Sequence, residues 1–322
     1  MNPDSFARHQ ILNGSGWSNA VSTVLAGDAS QRSYERLTDN AGNTSILMTT
    51  PPGYDILPFV RVAGHLEKLG LSAPRILAQD PDAGLLLLED FGDALFSRLL
   101  ARSEVSETDL YLAAIDVLIG LRSAPMIDCP VLDAPAMAEQ AGIVFNYYAG
   151  ADPDAFTPFL QTEFARLSND RCLALRDFHC DNLIWLDNRA GMARVGLLDF
   201  QDAVITHPAY DLASLLKDAR RDLGDTVEET GLSHYIAKTG VNDARFRFEY
   251  ALVGVQRNLR ILGVFARLST VFDKPQYIDF IPRVWRHLWR DLSHPELVEL
   301  KNQLALILPE PTEDFLRDLR NR

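Results

Sequence analysis

Residues 175–185 read LRDFHCDNLIW, with Asp177 and Asn182 five positions apart, Arg176 before the acid and an apolar run after the amide. Either residue alone is ordinary, because Asp and Asn side chains favour turns by bonding to nearby backbone. The residues downstream change the reading. The runs NLIWL (182–186) and RVGLLDF (194–200) are joined by the turn-rich DNRAGMA, a pattern that predicts a β-hairpin. A hairpin brings its ends together, so Asn182 before one strand and Asp199 closing the other are expected to converge with Asp177. Oxygen donors of this kind suit Mg²⁺, which takes few protein carboxylates and completes its shell with water and phosphate oxygens.

Working outward, the N-terminal part carries strand-like pieces: AVSTVLA (20–26), SILMTT (45–50) and GLLLLED (84–90), separated by turn clusters. One amphipathic helix interrupts them over 58–69, with Pro58 at its start and Gly70 just past its end. Beyond EDFGDA the spacing predicts helices over 95–102, 106–123, 134–149, 153–168, 208–223, 226–239, 243–268, 276–291 and 294–307. The hairpin is expected to be the only strand character in that run. The fold class is therefore α+β: a small sheet-bearing lobe over 1–93 and a larger, mainly helical lobe over 94–322. A cleft between two lobes is a natural place for a cofactor.

At 322 residues with 47% apolar content, the chain can fill real cores without covalent staples. Its cysteines, Cys129, Cys172 and Cys180, are odd in number and lack CxxC spacing, which argues against a disulfide framework or zinc site and for a reduced, cytoplasmic setting. The opening MNPDSFARHQILNG does not read as a leader peptide, and no stretch has the length of a membrane span. A formal charge of −13 argues against a protein that neutralises nucleic-acid phosphates. No nucleic acid or membrane partner is expected, and the oligomeric state is not encoded in any visible pattern.

Protein kinases use a catalytic loop in which an Asp serves as base and an Asn five residues later binds metal, followed by an Asp-Phe-Gly metal ligand. RDFHCDN keeps that spacing, and DFQ (199–201) keeps the Asp-Phe. The chain thus resembles the aminoglycoside phosphotransferase and choline kinase branch of the protein-kinase-like fold. Within that branch GDASQRSYERL, LMTTPP, LLLLEDFG, DFQDA and LGVFARL resemble the bacterial kinases that phosphorylate the anomeric hydroxyl of N-acetylmuramate and N-acetylglucosamine. The resemblance implies an ATP- and Mg²⁺-dependent kinase acting on a small-molecule hydroxyl, with Asp177 as base and Asn182 and Asp199 as metal ligands. It also implies that Asp211, in HPAYDLASLL (207–216), braces the catalytic loop. Asp202 is either an outer metal partner or a loop acid, and His179 is expected to be structural.

The chain departs from a typical kinase where a strand Lys, paired to a helix Glu, should hold the phosphates. There is no Lys before Lys68; Met48 stands at the expected place, and the 58–69 helix has no acid in its first two turns. Arg32 and Arg36 are the candidate replacements, since Arg binds phosphate oxygens in a planar fork. Asp28, Ala29 and Ser30 are expected to form a tight turn offering N–H groups and the Ser30 hydroxyl to phosphate. Adenine recognition is placed on the main chain from Glu89 to Phe91. Arg257, Asn258 and Arg260 are candidates for the acceptor pocket or for loop support, although their helical spacing also suits plain packing. The favoured acceptor is an amino sugar; an aminoglycoside antibiotic, a choline-type alcohol, and a nucleotide-binding pseudokinase without turnover are the alternatives.

Overall fold

The computed structural model describes residues 3–25, 32–224 and 226–321. The chain divides into two compact units, residues 1–104 with 181–202 and residues 105–180 with 203–322. The first is built on an antiparallel sheet of β1 (Val21–Val24), β2 (Ser33–Thr38), β3 (Thr44–Thr49), β4 (Ile76–Asp80) and β5 (Leu85–Glu89) in the order β1-β2-β3-β5-β4. Leu37, Leu47, Leu85 and Leu87 pack with Ile11 of helix α1 (Pro3–Gly14) in one core cluster. Helix α2 (Leu57–Lys68) buries Phe59, Val62, Ala63 and Leu66, the i, i+3, i+4, i+7 stripe that its sequence spacing predicts. Helix α3 (Phe96–Arg102) completes this unit before its second segment begins.

That second segment contains the expected hairpin, shorter than its sequence runs: Leu183–Trp185 pairs antiparallel with Val195–Leu197, in the register Leu183↔Leu197 and Trp185↔Val195. Backbone bonds fasten it to the N-terminal segment, from Leu197 N to Ser72 O (2.8 Å) and from Trp185 N to Ala94 O (2.8 Å). Phe59 and Phe200 add ring packing at 4.7 Å between centroids. The hairpin therefore groups with the sheet, whereas the sequence reading assigned everything from 94 to 322 to the helical lobe. Helix α1 and strands β2 and β4 were not anticipated.

In the second unit, α4 (Glu107–Arg122) starts at Ser106, whose side chain accepts from Asp109 N. Helix α5 (Ala134–Val144) starts at Asp133 and runs into a π-helical turn over Phe145–Ala149. There follow α6 (Thr157–Phe164), α7 (Ala209–Leu216), α8 (Val227–Thr239), α9 (Asp243–Thr270), α10 (Ile281–Asp291), α11 (Val298–Ala305) and α12 (Glu313–Arg320). The long α9 is the axis of the unit: α5, α7 and α10 all pack on it, and it is buried through most of its middle. The hairpin is not the only strand structure beyond residue 94. Cys172–Ala174 pairs antiparallel with Val204–Thr206, two three-residue strands that flank the loop over 175–182 and the hairpin in sequence. Among the described residues, no helix is long and apolar enough to cross a membrane.

Candidate active site

In the second unit, the chain leaves the strand Cys172–Ala174 and turns sharply at Arg176, whose φ is +70°. A side chain in left-handed backbone costs roughly 1–3 kcal/mol and persists only where its surroundings over-determine it. Here they do. Asp211, in the first turn of α7, accepts from Leu175 N (2.5 Å) and Arg176 N (2.9 Å). One turn along the same helix, Ser214 Oγ donates to Arg176 O (2.9 Å) and accepts from Arg257 Nη2 (2.7 Å). Asp177 follows directly, half-buried, its N–H on Leu175 O (2.9 Å) and its carbonyl accepting from His179 N (3.1 Å).

Burial pushes the Asp211 carboxyl up to about 7, opposed by its two backbone donors and by the Arg257 charge. Both its oxygens act as acceptors, an arrangement that an ionised carboxylate satisfies best. Burial, with Arg220 and Arg257 nearby, pushes the His179 ring down to about 3. The ring is thus neutral near pH 7. Arg220 Nη1 donates to its Nε2 (3.4 Å), which places the ring proton on Nδ1.

In the first unit, the hairpin brings Asn182 and Asp199 to one end: Leu198 N donates to Asn182 O (3.0 Å), and Asp199 is the next residue. Asp199 has φ +55°, so this candidate, like Arg176 before Asp177, sits in left-handed backbone. Its Oδ1 accepts from Arg32 Nη2 (2.7 Å) and Gln201 Nε2 (3.0 Å). The Arg32 side chain is only 6% exposed, the Asp199 side chain 36%. Gln201 Nε2 also reaches Asp202 Oδ2 (3.1 Å), which places Asp202 in the same bonded group. Among the described residues no group of three or more His, Cys, Asp and Glu side chains could hold a metal. One carboxylate and one amide oxygen fit Mg²⁺ only in the mode where nucleotide phosphates and waters supply the remaining ligands.

The other sequence candidates fall in different places. Asp28 and Ser30 lie outside the described residues. Met48, expected where a kinase has its Lys, is buried in β3. Arg36, taken as a phosphate ligand, instead bridges Asp90 (Nε–Oδ2 2.6 Å) and Asp93 (Nη1–Oδ2 2.8 Å). The Glu89 carboxylate is held by Arg75 (3.1 Å) and Arg189 (2.7 Å), and its N–H donates to Arg75 O (2.9 Å), so that amide is not open to an adenine. Phe91 lies under the Arg189 guanidinium, 5.0 Å from it.

On α9 the three candidates differ in burial and partners. Arg257 is buried against α7, its Nη2 donating to Ser214 Oγ (2.7 Å). Asn258, also buried, donates to Asp291 Oδ2 (3.3 Å), which removes it from the pocket candidates. Arg260 is half-buried and makes no ion pair among the described residues. Sequence reasoning missed Gln201 and Ser214. The signal for Ser214 was available, because it stands three residues after Asp211 and so on the same helix face.

A separate cavity of about 350 Å³ is lined by Ser168, Asp170, Asn242, Arg245 and Glu249 among others. Its polar groups close on one another. Glu249, carried down to about 2 by His207 and Ser168 against the effect of burial, accepts from Ser168 N (3.0 Å) and Arg245 Nε (2.8 Å). His207 Nδ1 accepts from Ala209 N (3.2 Å), so the proton is on Nε2, and His207 cannot serve as a base toward Ser168.

Over residues 22–248 the sequence matches the phosphotransferase enzyme family. An N-acetylmuramate/N-acetylglucosamine kinase of Caulobacter vibrioides is 36% identical, covering 95% of this chain and 97% of its own length. A second kinase of that description, from Pseudomonas aeruginosa, is 30% identical over 92% of both chains. Among solved structures, a choline/ethanolamine kinase family protein from Mesorhizobium loti superposes with a TM-score of 0.64 at 14% identity, covering 99% of both chains. That last likeness fixes the fold as α+β and protein-kinase-like.

Proposed function

The chain belongs to the phosphotransferase enzyme family, and on that footing we propose that it transfers the γ-phosphate of ATP to the anomeric hydroxyl of N-acetylmuramate or N-acetylglucosamine. The observation that carries the reading is the 36% identity, along 95% of the chain, to a kinase named for these two sugars. The site residues agree with it. Asp177 accepts or orients the proton of the attacking hydroxyl. Asn182 and Asp199 hold Mg²⁺, which when bound neutralises charge on the nucleotide phosphates. Arg32, ion-paired to Asp199 (2.7 Å), supplies fixed positive charge beside the metal position in a sheet that has no Lys on β3. Asp202 acts through Gln201 on the Asp199 carboxylate.

Main-chain groups of Asp90 and Phe91, with the Glu89 carbonyl, meet the adenine. Arg260 contacts the acceptor. On α9, Tyr250 O lies by Lys217 Nζ (3.5 Å) and Arg257 by Ser214, so α9 and α7 run antiparallel. Arg260 then lies further toward the end of α7 that carries Asp211. The setting is a reduced, cytoplasmic one.

The test is acceptor-dependent ADP release with Mg²⁺, ATP and a panel of amino sugars, aminoglycosides and choline. The two N-acetylated sugars are expected to support turnover, and their product to lose its reducing end, as phosphorylation at C1 requires. Asp177→Asn should lower kcat by about 10²- to 10⁴-fold. Turnover with an aminoglycoside or choline and none with the sugars would overturn the acceptor. Unchanged kcat in Asp177→Asn would overturn the assigned base.

A further inference from the structure

Arg257 presents a physical problem. It is buried in the middle of α9, yet no carboxylate among the described residues pairs with it directly, the Asp211 carboxyl feeling its charge only at longer range. Burying a guanidinium without a paired acid is unfavourable unless its hydrogen bonds do something specific. Its Nη2 donates to Ser214 Oγ (2.7 Å), its Nη1 lies 3.4 Å from Ala213 O, and its plane lies over the Tyr210 ring at 5.6 Å. All three partners are on α7, the helix that also carries Asp211.

The contact with Ser214 decides what that hydroxyl does. A Ser within a helix can turn its O–H back to a carbonyl of its own preceding turn. When Arg257 donates into the oxygen lone pair, the O–H is aimed outward, and it reaches Arg176 O at 2.9 Å. That carbonyl belongs to the peptide plane joining Arg176 to Asp177. Asp211 fixes the two amides before the turn, at Leu175 and Arg176, and touches neither atom of this plane. Asp211 thus holds the plane before Arg176, on which its left-handed φ of +70° depends, and Ser214 holds the plane after it.

We propose that Arg257 and Ser214 are positioning residues for phosphoryl transfer: Arg257 orients the Ser214 hydroxyl, and Ser214 locks the Arg176–Asp177 peptide, setting the direction of the base. The inference rests on the reading of Asp177 as that base. Both side chains are buried, away from a ligand's reach, so the effect is expected on the chemical step. Misdirecting a catalytic group by about 1 Å lowers the rate by up to about 10²-fold.

Ser214→Ala, Arg257→Met and the double variant are compared with the native chain and Asp177→Asn in the ADP-release assay, with thermal midpoints measured in parallel. Both single variants are expected to lose about 10- to 100-fold in kcat, with KM for ATP unchanged and the midpoint of Ser214→Ala close to native. Because the two act in series, the double variant is expected to be no slower than the slower single variant. Native kcat in Ser214→Ala would overturn the proposal, as would a double variant whose losses multiply, or a loss that appears in KM alone. Should Arg257→Met fail to fold, Ser214→Ala carries the test by itself. Activity lost in Asp177→Asn but kept in Ser214→Ala would refute the relay and leave the kinase reading standing; an inactive native chain would refute the reading instead.

Discussion

At the residue scale, the candidate site is marked by backbone as much as by side chains. Among the described residues, four non-glycine positions have positive φ, and two of them are Arg176 and Asp199. Strain of this kind is held by neighbours, by Asp211 and Ser214 in one case and by Arg32 and Gln201 around the carboxylate in the other. His179 illustrates the opposite economy, a titratable ring kept uncharged. Its folded value of about 3 lies below the ordinary 6.5, so between these two values the unfolded chain binds the proton more tightly. The stability from the neutral ring is complete above 6.5 and is lost as pH falls toward 3. Comparing melting midpoints from about pH 7 down to about pH 4, the native chain should fall more steeply than His179→Gln. Parallel curves would show that this ring is not held neutral. What spacing carried was legible, as in the hairpin that brings Asn182 and Asp199 to one end. The setting of Arg257 was not, because a buried cation on α9 reads the same whether it faces a ligand, a carboxylate or a serine.

At the scale of elements, close approach of helices explains what propensity does not. Gly254 sits inside the 28-residue α9, where Gly costs about 1 kcal/mol against Ala. A Cβ there would collide with Asp291 Oδ2 and lie 2.6 Å from Lys217 Nζ, a pair joined at 2.6 Å with both side chains almost wholly buried. Gly254→Ala should therefore destabilise by about 1–3 kcal/mol, the range for overpacking a filled core, despite its better helix propensity. Gly64, in α2 with no atom within 4 Å of a Cβ, is the control: Gly64→Ala should stabilise by about 0.5–1 kcal/mol. Denaturant unfolding of both reads the contrast, and a neutral Gly254→Ala would show that the pair accommodates the methyl group. The long helices were legible for the same reason that this one is: sustained apolar period, Asn242 as cap at the start of α9, Gly240 at φ +67° ending α8. The three-residue strands Cys172–Ala174 and Val204–Thr206 were not, since three apolar residues carry no period. Strand β2 was hidden by its polar composition, SYERLT, which shows little of the apolar pattern of a strand.

At the scale of the whole molecule, the first compact unit is assembled from two pieces of sequence. A linear reading sees the change from strands to helices near residue 93, but it cannot see that a hairpin ninety residues later returns to the sheet-bearing unit, because that depends on contacts distant in sequence. Those contacts are specific. Ser72 lies in a parallel bridge with Gly196 and donates through Oγ to Ala193 O (2.5 Å), Leu95 bridges Ile184, and the Phe96 ring meets Trp185 at 6.0 Å. The returning segment also brings Leu183, Val195, Leu197 and Phe200, all buried. A fragment ending at residue 104 would leave those partners missing, exposing apolar surface at about 25 cal/mol per Å² and unpairing the Ser72 and Ala94 carbonyls. Expressed alone, residues 1–104 should lack a cooperative thermal transition and bind a hydrophobic dye. Joining residues 181–202 to them through a flexible linker should restore sharp melting. Cooperative melting of 1–104 by itself would show instead that the sheet and its two long helices suffice, and that the hairpin is an addition to a unit already complete.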